Sequence, residues 1–379
     1  MKKNKILIAP NSFKECADSV TIAELITQYL SGLKKKELIT KPISDGGDGF
    51  LKVCEFYFGG EIINYKISAP YGESKIECPI LYCESRKEVY IESAEVLGLK
   101  IVPLFYRNPL KLSSKGLGEL IWLIEKDVRN KNLTVNKVFI GIGGTATMDM
   151  GMGMMSELGL NLLDLDYREI DVIPQNFSLT KRIRYKPFNL SFDLIPIVDV
   201  SNSLLGAQGG IRIYGKQKGA NEENIPISEK SFNHLINLFE NNKLEISTNK
   251  LSGAGGGIPA AFQIFYKTSL IYSSEFIKYH LGIDRYIDSI DYLVTGEGAY
   301  DDQTDSGKGV SVLIDLFRSD VKLIFLICGS IGNSILKNLP KYIFPIELRK
   351  YFPNQYDSIK NYKEGLKKAS SQIMKEVNF

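Results

Sequence analysis

The stretch VFIGIGGTATMDMGMGMMSELG, residues 138–159, combines an apolar strand-like run with closely spaced glycines, a threonine and an aspartate. Where a strand opens through glycines into a helix, backbone N–H groups converge and bind an anion. Gly143, Gly144 and Thr145 are the residues whose N–H groups would do so here. The stretch therefore predicts an anion-binding loop followed by a helix.

Two other interpretations of this stretch stay open. The GIGGTA segment matches the spacing of a dinucleotide-binding fingerprint, with Asp166 about 20 positions further on, which favours an NAD-dependent hydroxy-acid dehydrogenase. Against this, Gly151 and Gly153 interrupt the following helix, each weakening it by ~1 kcal/mol, and the match lies in the middle of the chain. A tight turn that only packs a helix against a strand fits the same residues.

Other predicted strand ends also carry chemistry. In open α/β sheets, ligands bind beyond the carboxyl ends of the strands. One polar strand end is ordinary turn chemistry, but several of them predict a shared polar site. Besides the glycine loop, the polar strand ends are Asn11-Ser12-Phe13-Lys14, Asp45-Gly46-Gly47-Asp48, Asp199, and Thr295-Gly296-Glu297-Gly298 followed by Asp301.

These residue types suit phosphoryl transfer without a P-loop. Gly307-Lys308 lacks the flanking residues of a Walker A motif. A phosphotransferase needs a glycine nest, a lysine, carboxylates for Mg²⁺ and an acceptor for the hydroxyl proton, and the chain contains all four. The two histidines, His234 and His280, lie in helical patterns and are expected to pack or face solvent. An aspartate or a lysine must therefore move the proton.

Composition excludes several other classes. The chain has 379 residues, 44% hydrophobic and 24% charged, with a net charge of +3, so no nucleic-acid-binding surface is implied. No apolar run reaches the ~20 residues of a membrane span, and the apolar part of MKKNKILIAP is too short for a signal peptide. Five scattered cysteines without a CxxC pair fit a reducing compartment, so we expect a cytoplasmic protein.

The order of elements predicts an α/β fold with two domains. Strand and helix patterns alternate at both ends of the chain, which is typical of a parallel sheet with helices on both faces. In the middle, residues 62–82 predict a β-hairpin, residues 115–129 and 228–242 predict helices, and residues 160–195 are expected to be irregular. We predict a discontinuous parallel-sheet domain of residues 1–66 and 286–379, interrupted by an inserted mixed α/β domain of residues 67–285.

Taken together, the loops resemble the bacterial glycerate kinase family, whose members phosphorylate D-glycerate with ATP. The resemblance implies a flavodoxin-like domain with a mixed insertion, ATP and Mg²⁺ as cofactors, and 2-phosphoglycerate as product, with the 3-hydroxyl as the open alternative. It implies no nucleic-acid or membrane partner, and a monomer or homodimer. The motifs that carry it occur in family order and span nearly the whole chain: ILIAPNSFKE, DGGDG, RNPL with SSKGLGELI, GIGGTATMD, DVSNSLLG, GKQKGA, SGAGGG and TGEGAYDDQTDSGKG.

The resemblance also implies roles for individual residues. Asp199 is the candidate proton acceptor, Lys14 the second catalytic candidate, and Arg107 suits a bidentate carboxylate clamp. The other substrate-binding candidates are Ser12, Asp48 and Ser114; the nucleotide-binding candidates are Gly143, Gly144, Thr145, Thr147, Lys218 and Lys308; the Mg²⁺ candidates are Asp45, Glu297 and Asp301.

The chain departs from the family pattern at several positions near these residues. The family usually has Asp at Asn11, Asn at Met148, Gly at Met150 and Arg at Ala299. Loss of a polar and a charged side chain keeps a third interpretation open, that of a catalytically weak homologue that binds glycerate or nucleotide.

Overall fold

A computed structural model describes residues 4–186, 188–246, 251–301, 309–319 and 321–378. The chain divides into two compact units. The first unit contains Met1–Tyr57 and Tyr272–Phe379, and the second unit contains Phe58–Ile271. The domain boundaries predicted after residues 66 and 285 stay a prediction.

Strands and helices alternate through most of the first unit, whereas the second unit also contains runs of consecutive strands and of consecutive helices. The strands are β1 (Asn4–Ile8), β2 (Lys36–Thr40), β3 (Glu61–Ser68), β4 (Lys75–Cys83), β5 (Glu88–Glu92), β6 (Lys137–Ile142), β7 (Leu160–Leu163), β8 (Arg182–Tyr185), β9 (Asp193–Val198), β10 (Ile271–Tyr272), β11 (Tyr292–Tyr300), β12 (Leu323–Ile331) and β13 (Ile343–Glu347). The α-helices are α1 (Ser19–Leu30), α2 (Phe50–Phe58), α3 (Ser93–Leu97), α4 (Lys115–Arg129), α5 (Met152–Glu157), α6 (Gly210–Tyr214), α7 (Asn224–Asn241), α8 (Ile258–Phe265), α9 (Ser273–Glu275), α10 (Gly309–Phe317), α11 (Asn333–Asn338), α12 (Gln355–Lys360) and α13 (Tyr362–Asn378).

The first unit is built on a parallel five-stranded sheet in the order β13-β12-β11-β1-β2. Helix α1 begins after Asp18, whose side chain accepts a hydrogen bond from Thr21 N at 3.0 Å and so caps the helix. Residues four apart on α1, among them Ile22 and Ile26, are buried in one core with strand residues and with α13. Apolar runs such as IFLIC in β12 are buried because a parallel sheet is covered on both faces.

The second unit is built on a mixed sheet in the order β10-β9-β6-β5-β4-β3. The central strands β5, β6 and β9 are parallel, while β3, β4 and β5 pair antiparallel. Helix α4 buries Leu117, Leu120, Ile121 and Ile124, the spacing of one helical face, in the core of this unit. The carboxyl ends of three parallel strands thus meet at one edge.

The mixed α/β fold class predicted from the sequence is confirmed. One local expectation was wrong. Residues 160–195 contain the antiparallel pair β7–β8, which was not predicted because an alternation of four residues in each strand was too short. The helix expected after the glycine loop is α5, which begins at Met152 and has six residues, because Gly151 before it adopts φ 71° and interrupts helical geometry.

In the described residues, no helix is both long and apolar enough to cross a membrane. All five cysteines are free thiols. His234, in α7, shares a 2.7 Å hydrogen bond with Thr180 O, and the ring of His280 stacks on Phe276 with 5.5 Å between ring centroids. Of the two roles expected for the histidines, packing or exposure to solvent, both side chains have the packing role.

Candidate active site

The glycine loop and Asp199 lie at the same edge of the second unit's sheet. Strands β6 and β9 are parallel neighbours with Ile142 opposite Val198, so Gly143 and Asp199 leave adjacent strands together. Neighbouring strands are about 4.8 Å apart. Glu92, the last residue of β5, lies opposite Gly141 on the other side of β6. The structure therefore brings the predicted proton acceptor beside the predicted phosphate loop.

Hydrogen bonds fix the glycine loop and leave two of its N–H groups uncommitted. Gly143 N donates to Ser93 Oγ at 3.1 Å, and Ser93 Oγ donates to Gly143 O at 3.0 Å. Gly144 adopts φ 65°, a conformation that suits glycine. Among the described residues, no acceptor pairs with the N–H groups of Gly144 and Thr145. These two N–H groups are therefore able to donate hydrogen bonds to an anion.

Lys218 lies inside this loop. Its side chain is buried, and its Nζ donates to Thr145 Oγ1 at 2.8 Å and to Thr147 O at 3.1 Å. Burial lowers the pKa of Lys218 to about 7, against the attraction of the Asp149 carboxylate. Thr147 is fully buried as well, and its Oγ1 has no hydrogen-bond partner within the described ranges. Lys218 thus supports the loop from within, whereas the buried Thr147 hydroxyl forms no hydrogen bond among the described residues.

A second glycine-rich loop presses against the same segment. Gly255, Gly256 and Gly257 all have positive φ. A Cβ on Gly256 would lie 2.0 Å from Thr147 O. Met150 N donates to Gly256 O at 3.0 Å, and Met150 itself has φ 56° at the position where the family usually has glycine. The loop that follows β6 is therefore held by close backbone packing.

Ser114 is engaged inside the protein. Its N and Oγ both donate to Asp149 Oδ2 at 2.7 Å, and its Oγ accepts from Met154 N at 2.9 Å. Burial raises the pKa of Asp149, and the hydrogen bonds from Ser114, Gly153 and Gly151 oppose this shift. Because the serine hydroxyl is fully buried and already both donates and accepts, its geometry gives no support to substrate binding.

Arg107 is oriented by backbone carbonyl groups. Its Nε donates to Val102 O at 3.0 Å and its Nη2 donates to Leu99 O at 2.8 Å. The side chain is half-buried, and these bonds leave Nη1 for another acceptor. The guanidinium group is therefore held in one orientation, as a carboxylate clamp requires.

In the first unit, the ends of β1, β2 and β11 form a second polar cluster. Asn11 N donates to Gly296 O at 2.9 Å, and Asn11 Nδ2 donates to Asp45 Oδ2 at 3.1 Å. Ser12 N donates to Asn11 Oδ1 at 2.8 Å. The next residue, Phe13, is buried, so the turn presents Lys14 to solvent.

The remaining predicted ligands are spread along this edge. Asp45 Oδ1 accepts from Gly47 N at 3.0 Å, and Asp48 is exposed. Glu297 is half-buried within β11, whereas Asp301 is exposed after its end, about 13 Å further along the strand. Lys308 lies outside the described residues.

Within the described ranges, no group of three Asp, Glu, His or Cys side chains is placed to hold a metal ion. Mg²⁺ in kinases takes one or two carboxylates and completes its shell with water and phosphate oxygens. The Asp45 carboxylate, at a strand end beside an amide and a backbone N–H group, fits that reduced requirement.

Sequence reasoning missed three residues that shape the site. Ser93 Oγ accepts a hydrogen bond from Gly143 N. The Asp149 carboxylate accepts hydrogen bonds from backbone N–H groups at the starts of α4 and α5, and Gly219 packs against the Arg107 backbone. Ser93 is the last residue of the strand-like segment VYIES, residues 89–93, and this position was the one signal pointing to it. The other two contacts join segments that are far apart in the chain.

An α/β fold whose strand ends carry a glycine loop, carboxylates and a lysine suits phosphoryl transfer to a small molecule. The family model described as "Glycerate kinase family" matches residues 6–378. The chain therefore belongs to the glycerate kinase family, and it is an enzyme of that class.

Individual relatives agree with the family match. A glycerate kinase from Bacillus cereus is 31% identical over 88% of this chain and 86% of its own length. A glycerate 2-kinase from Escherichia coli is 30% identical over 87% of this chain and 86% of its own length. A crystal structure provisionally described as glycerate kinase 2 from Salmonella typhimurium superposes with a TM-score of 0.76 at 25% identity, covering 99% of this chain and 100% of that one.

Proposed function

We propose that this enzyme transfers the γ-phosphoryl group of ATP to the 2-hydroxyl of D-glycerate and releases ADP and 2-phosphoglycerate. The observation that carries the proposal is that Asp199 and the Gly143–Thr145 loop leave adjacent parallel strands at one edge. The choice of the 2-hydroxyl is supported by the relative from Escherichia coli whose name is glycerate 2-kinase.

The glycine loop is assigned to the phosphates of ATP. The N–H groups of Gly144 and Thr145 are uncommitted among the described residues, and such paired N–H groups bind phosphate oxygens. Lys218 holds the loop from inside through Thr145 Oγ1 and Thr147 O, so its assignment as a nucleotide-binding residue is an indirect one. Thr147 is assigned to the nucleotide by the family resemblance alone.

Asp199 and Arg107 are assigned to glycerate. Arg107 binds the carboxylate through the part of its guanidinium group that faces away from Leu99 and Val102. Asp199 orients the 2-hydroxyl and accepts its proton. As the hydroxyl oxygen bonds to the γ-phosphorus, the bond from that phosphorus to the β–γ bridging oxygen breaks, and ADP leaves with its electron pair. Because the transition state is loose, positioning matters more than the strength of the base.

The candidates in the first unit are assigned roles by the family resemblance alone. Lys14, which is exposed, is assigned to phosphate or carboxylate oxygens, and Ser12 and Asp48 are assigned to substrate hydroxyl groups. Asp45 and Glu297 would hold Mg²⁺, which neutralises phosphate charge when bound. Asp301 and Lys308 remain candidates for the metal and the phosphates.

Two alternatives have weaker support. A dinucleotide fingerprint needs a helix that opens directly at the glycines, whereas α5 begins only at Met152. A catalytically weak homologue is suggested by Met148, Met150 and Ala299, but Met148 and Met150 are buried members of the hydrophobic core. A cytoplasmic location, with a monomer or homodimer, completes the proposal.

The test is an assay of purified protein with ATP, Mg²⁺ and D-glycerate. ADP formation is followed by coupled absorbance, and phosphorus NMR distinguishes 2-phosphoglycerate from 3-phosphoglycerate. L-Glycerate and a reaction without acceptor serve as controls. ADP formation that requires D-glycerate, with the 2-phospho product, supports the proposal. A 3-phospho product overturns the choice of hydroxyl, and an NAD-dependent absorbance change with a hydroxy acid instead of ADP formation overturns the kinase assignment.

A further inference from the structure

Lys218 contacts the glycine loop from its interior side. The residue is 4% exposed, and its Nζ donates to Thr145 Oγ1 at 2.8 Å and to Thr147 O at 3.1 Å. Thr145 lies 73 positions earlier in the chain. The conformation of the loop therefore depends on a side chain from a distant segment.

Gly219, the next residue, packs against the backbone of Arg107. Its φ is 94°, and a Cβ at this position would lie 2.5 Å from Arg107 O. Any other residue would push the two segments apart. Lys218, the last residue of the short 3-10 turn Lys216–Lys218, thus contacts the glycine loop, and Gly219, which follows the turn, contacts Arg107.

A second connection runs from Arg107 back to the loop. Arg107 Nη2 donates to Leu99 O at 2.8 Å, and Leu99 N donates to Gly144 O at 3.0 Å. Ala146 N donates to Leu97 O at 2.7 Å. Together the two connections form a closed ring of contacts. The glycine loop contacts Lys218, the adjacent Gly219 contacts Arg107, and Arg107 is connected back to the loop through Leu99.

We propose that Lys218 is a positioning residue that couples the glycine loop to Arg107, so that the two substrates are held in register. This inference rests on the proposed function, in which the loop binds the phosphates of ATP and Arg107 binds the carboxylate of glycerate. Lys218 acts through its neighbours, since its ammonium group is enclosed and already donates to two acceptors. Phosphoryl transfer depends mainly on such alignment of donor and acceptor.

The experiment is a double-mutant cycle in the full-length enzyme, with Lys218→Met and Arg107→Ala. Lys218→Met is expected to raise the KM for D-glycerate at least fivefold although Lys218 does not contact glycerate. In the Arg107→Ala background, the same substitution is expected to change that KM less than twofold. Lys216→Met is the matched control, because this lysine lies on the same turn with its side chain 68% exposed, and it should leave both substrate KM values within twofold.

Additive effects in the cycle, or a change confined to the KM for ATP, would show that Lys218 acts on the nucleotide independently of Arg107 and would overturn the inference. If Lys218→Met does not fold, Thr145→Val replaces it, because it deletes the acceptor of the 2.8 Å hydrogen bond. The same dependence on Arg107 is then expected, at threefold or more.

A second measurement separates this inference from the proposed function. Hydrogen exchange of the ligand-free protein is compared between wild type, Lys218→Met and Lys216→Met. Faster exchange in Lys218→Met at both residues 99–107 and residues 144–147 supports the coupling even if the wild type does not phosphorylate glycerate. Unchanged exchange at residues 99–107 overturns it, whatever the wild-type activity is.

Discussion

At the scale of single residues, Asp199 and Lys218 have opposite environments. Asp199 directly follows β9 and lies, half-exposed, beside the glycine loop. Burial of Tyr214 raises the pKa of its hydroxyl, and the negative charge of Asp199 raises that pKa further. Lys218 is enclosed, and its two acceptors are protein groups. The Asp199 side chain is therefore partly accessible to solvent, whereas Lys218 acts on the protein.

Asp199→Asn is expected to lower kcat by roughly 10²–10⁴-fold, the range for loss of a general base. The amide keeps the shape and can still form a hydrogen bond, but it cannot accept the proton. The KM for ATP should change little, since the proposal assigns ATP to other residues. Steady-state kinetics check this, with Asp193→Asn, an exposed residue at the start of the same strand, as control. A near-normal kcat combined with a lower melting temperature would identify Asp199 as a structural cap.

The buried Lys218 predicts a pH dependence of stability. Its pKa is lowered to about 7 in the folded protein, whereas an unfolded lysine titrates near ~10.4. Between these values the unfolded state binds more protons, so the contribution of Lys218 to the free energy of unfolding rises with pH, by at most about 1.4 kcal/mol per pH unit. Urea unfolding at pH 6.5, 8.0 and 9.5 is compared between wild type and Lys218→Met. A difference that stays constant over this range would contradict the lowered pKa.

At the scale of elements, the loop after β6 is shaped by the glycines of a second loop. Cβ atoms on Gly255, Gly256 and Gly257 would lie 2.4 Å from Ile142 Cγ2, 2.0 Å from Thr147 O and 2.7 Å from Leu204 Cδ1. Two of these neighbours belong to β6 or to the loop that follows it. Consecutive positive φ angles thus allow the two loops to pack backbone against backbone.

Gly256→Ala is expected to destabilise the protein by at least about 2 kcal/mol, because it adds backbone strain and a clash with Thr147 O. Gly206→Ala is the matched control. Gly206 also has a positive φ of 99°, but a Cβ at this position would have no neighbour within 4 Å, so only strain of about 1 kcal/mol is expected. Urea unfolding of both variants gives the two values. Equal losses would mean that the second loop yields to the added methyl group.

At the scale of the whole molecule, each unit has its own hydrophobic core. The core around Ile22, Phe325 and Leu366 belongs to the first unit, and the core around Ile121, Ile140 and Phe262 belongs to the second unit. A core that closes within one continuous segment does not depend on the rest of the chain for its burial.

The fragment of residues 58–271 is therefore expected to fold by itself. Its size lies within the roughly 50–250 residues of ordinary domains. The single tryptophan, Trp122 in α4, reports on this unit by fluorescence. A cooperative urea transition of the fragment, with near-ultraviolet circular dichroism, is the expected result. A fragment that binds a hydrophobic dye and lacks a cooperative transition would show that its core needs the first unit.

Some features of the protein followed from local sequence alone. The bounds of α2, α4 and β6 follow from apolar spacing over a few turns or from a continuous apolar run, because burial of one face determines these elements. The polar strand ends were predicted for a similar reason, since parallel strands carry their loops to one edge. The alternation in β7 and β8 covers four residues each and was too short to separate from an irregular segment.

Other features were decided only by tertiary packing. Nothing in GKQKGA indicates that Lys218 is enclosed while Lys216 is exposed, because the acceptors of Lys218 lie more than 70 positions away. The sequence made Ser114 a candidate substrate ligand. In the structure, its hydroxyl donates a hydrogen bond to the carboxylate of Asp149, 35 positions later. Periodicity reports which face of an element is buried, but the partner of a polar side chain depends on which distant segments meet it, and only the folded chain determines that.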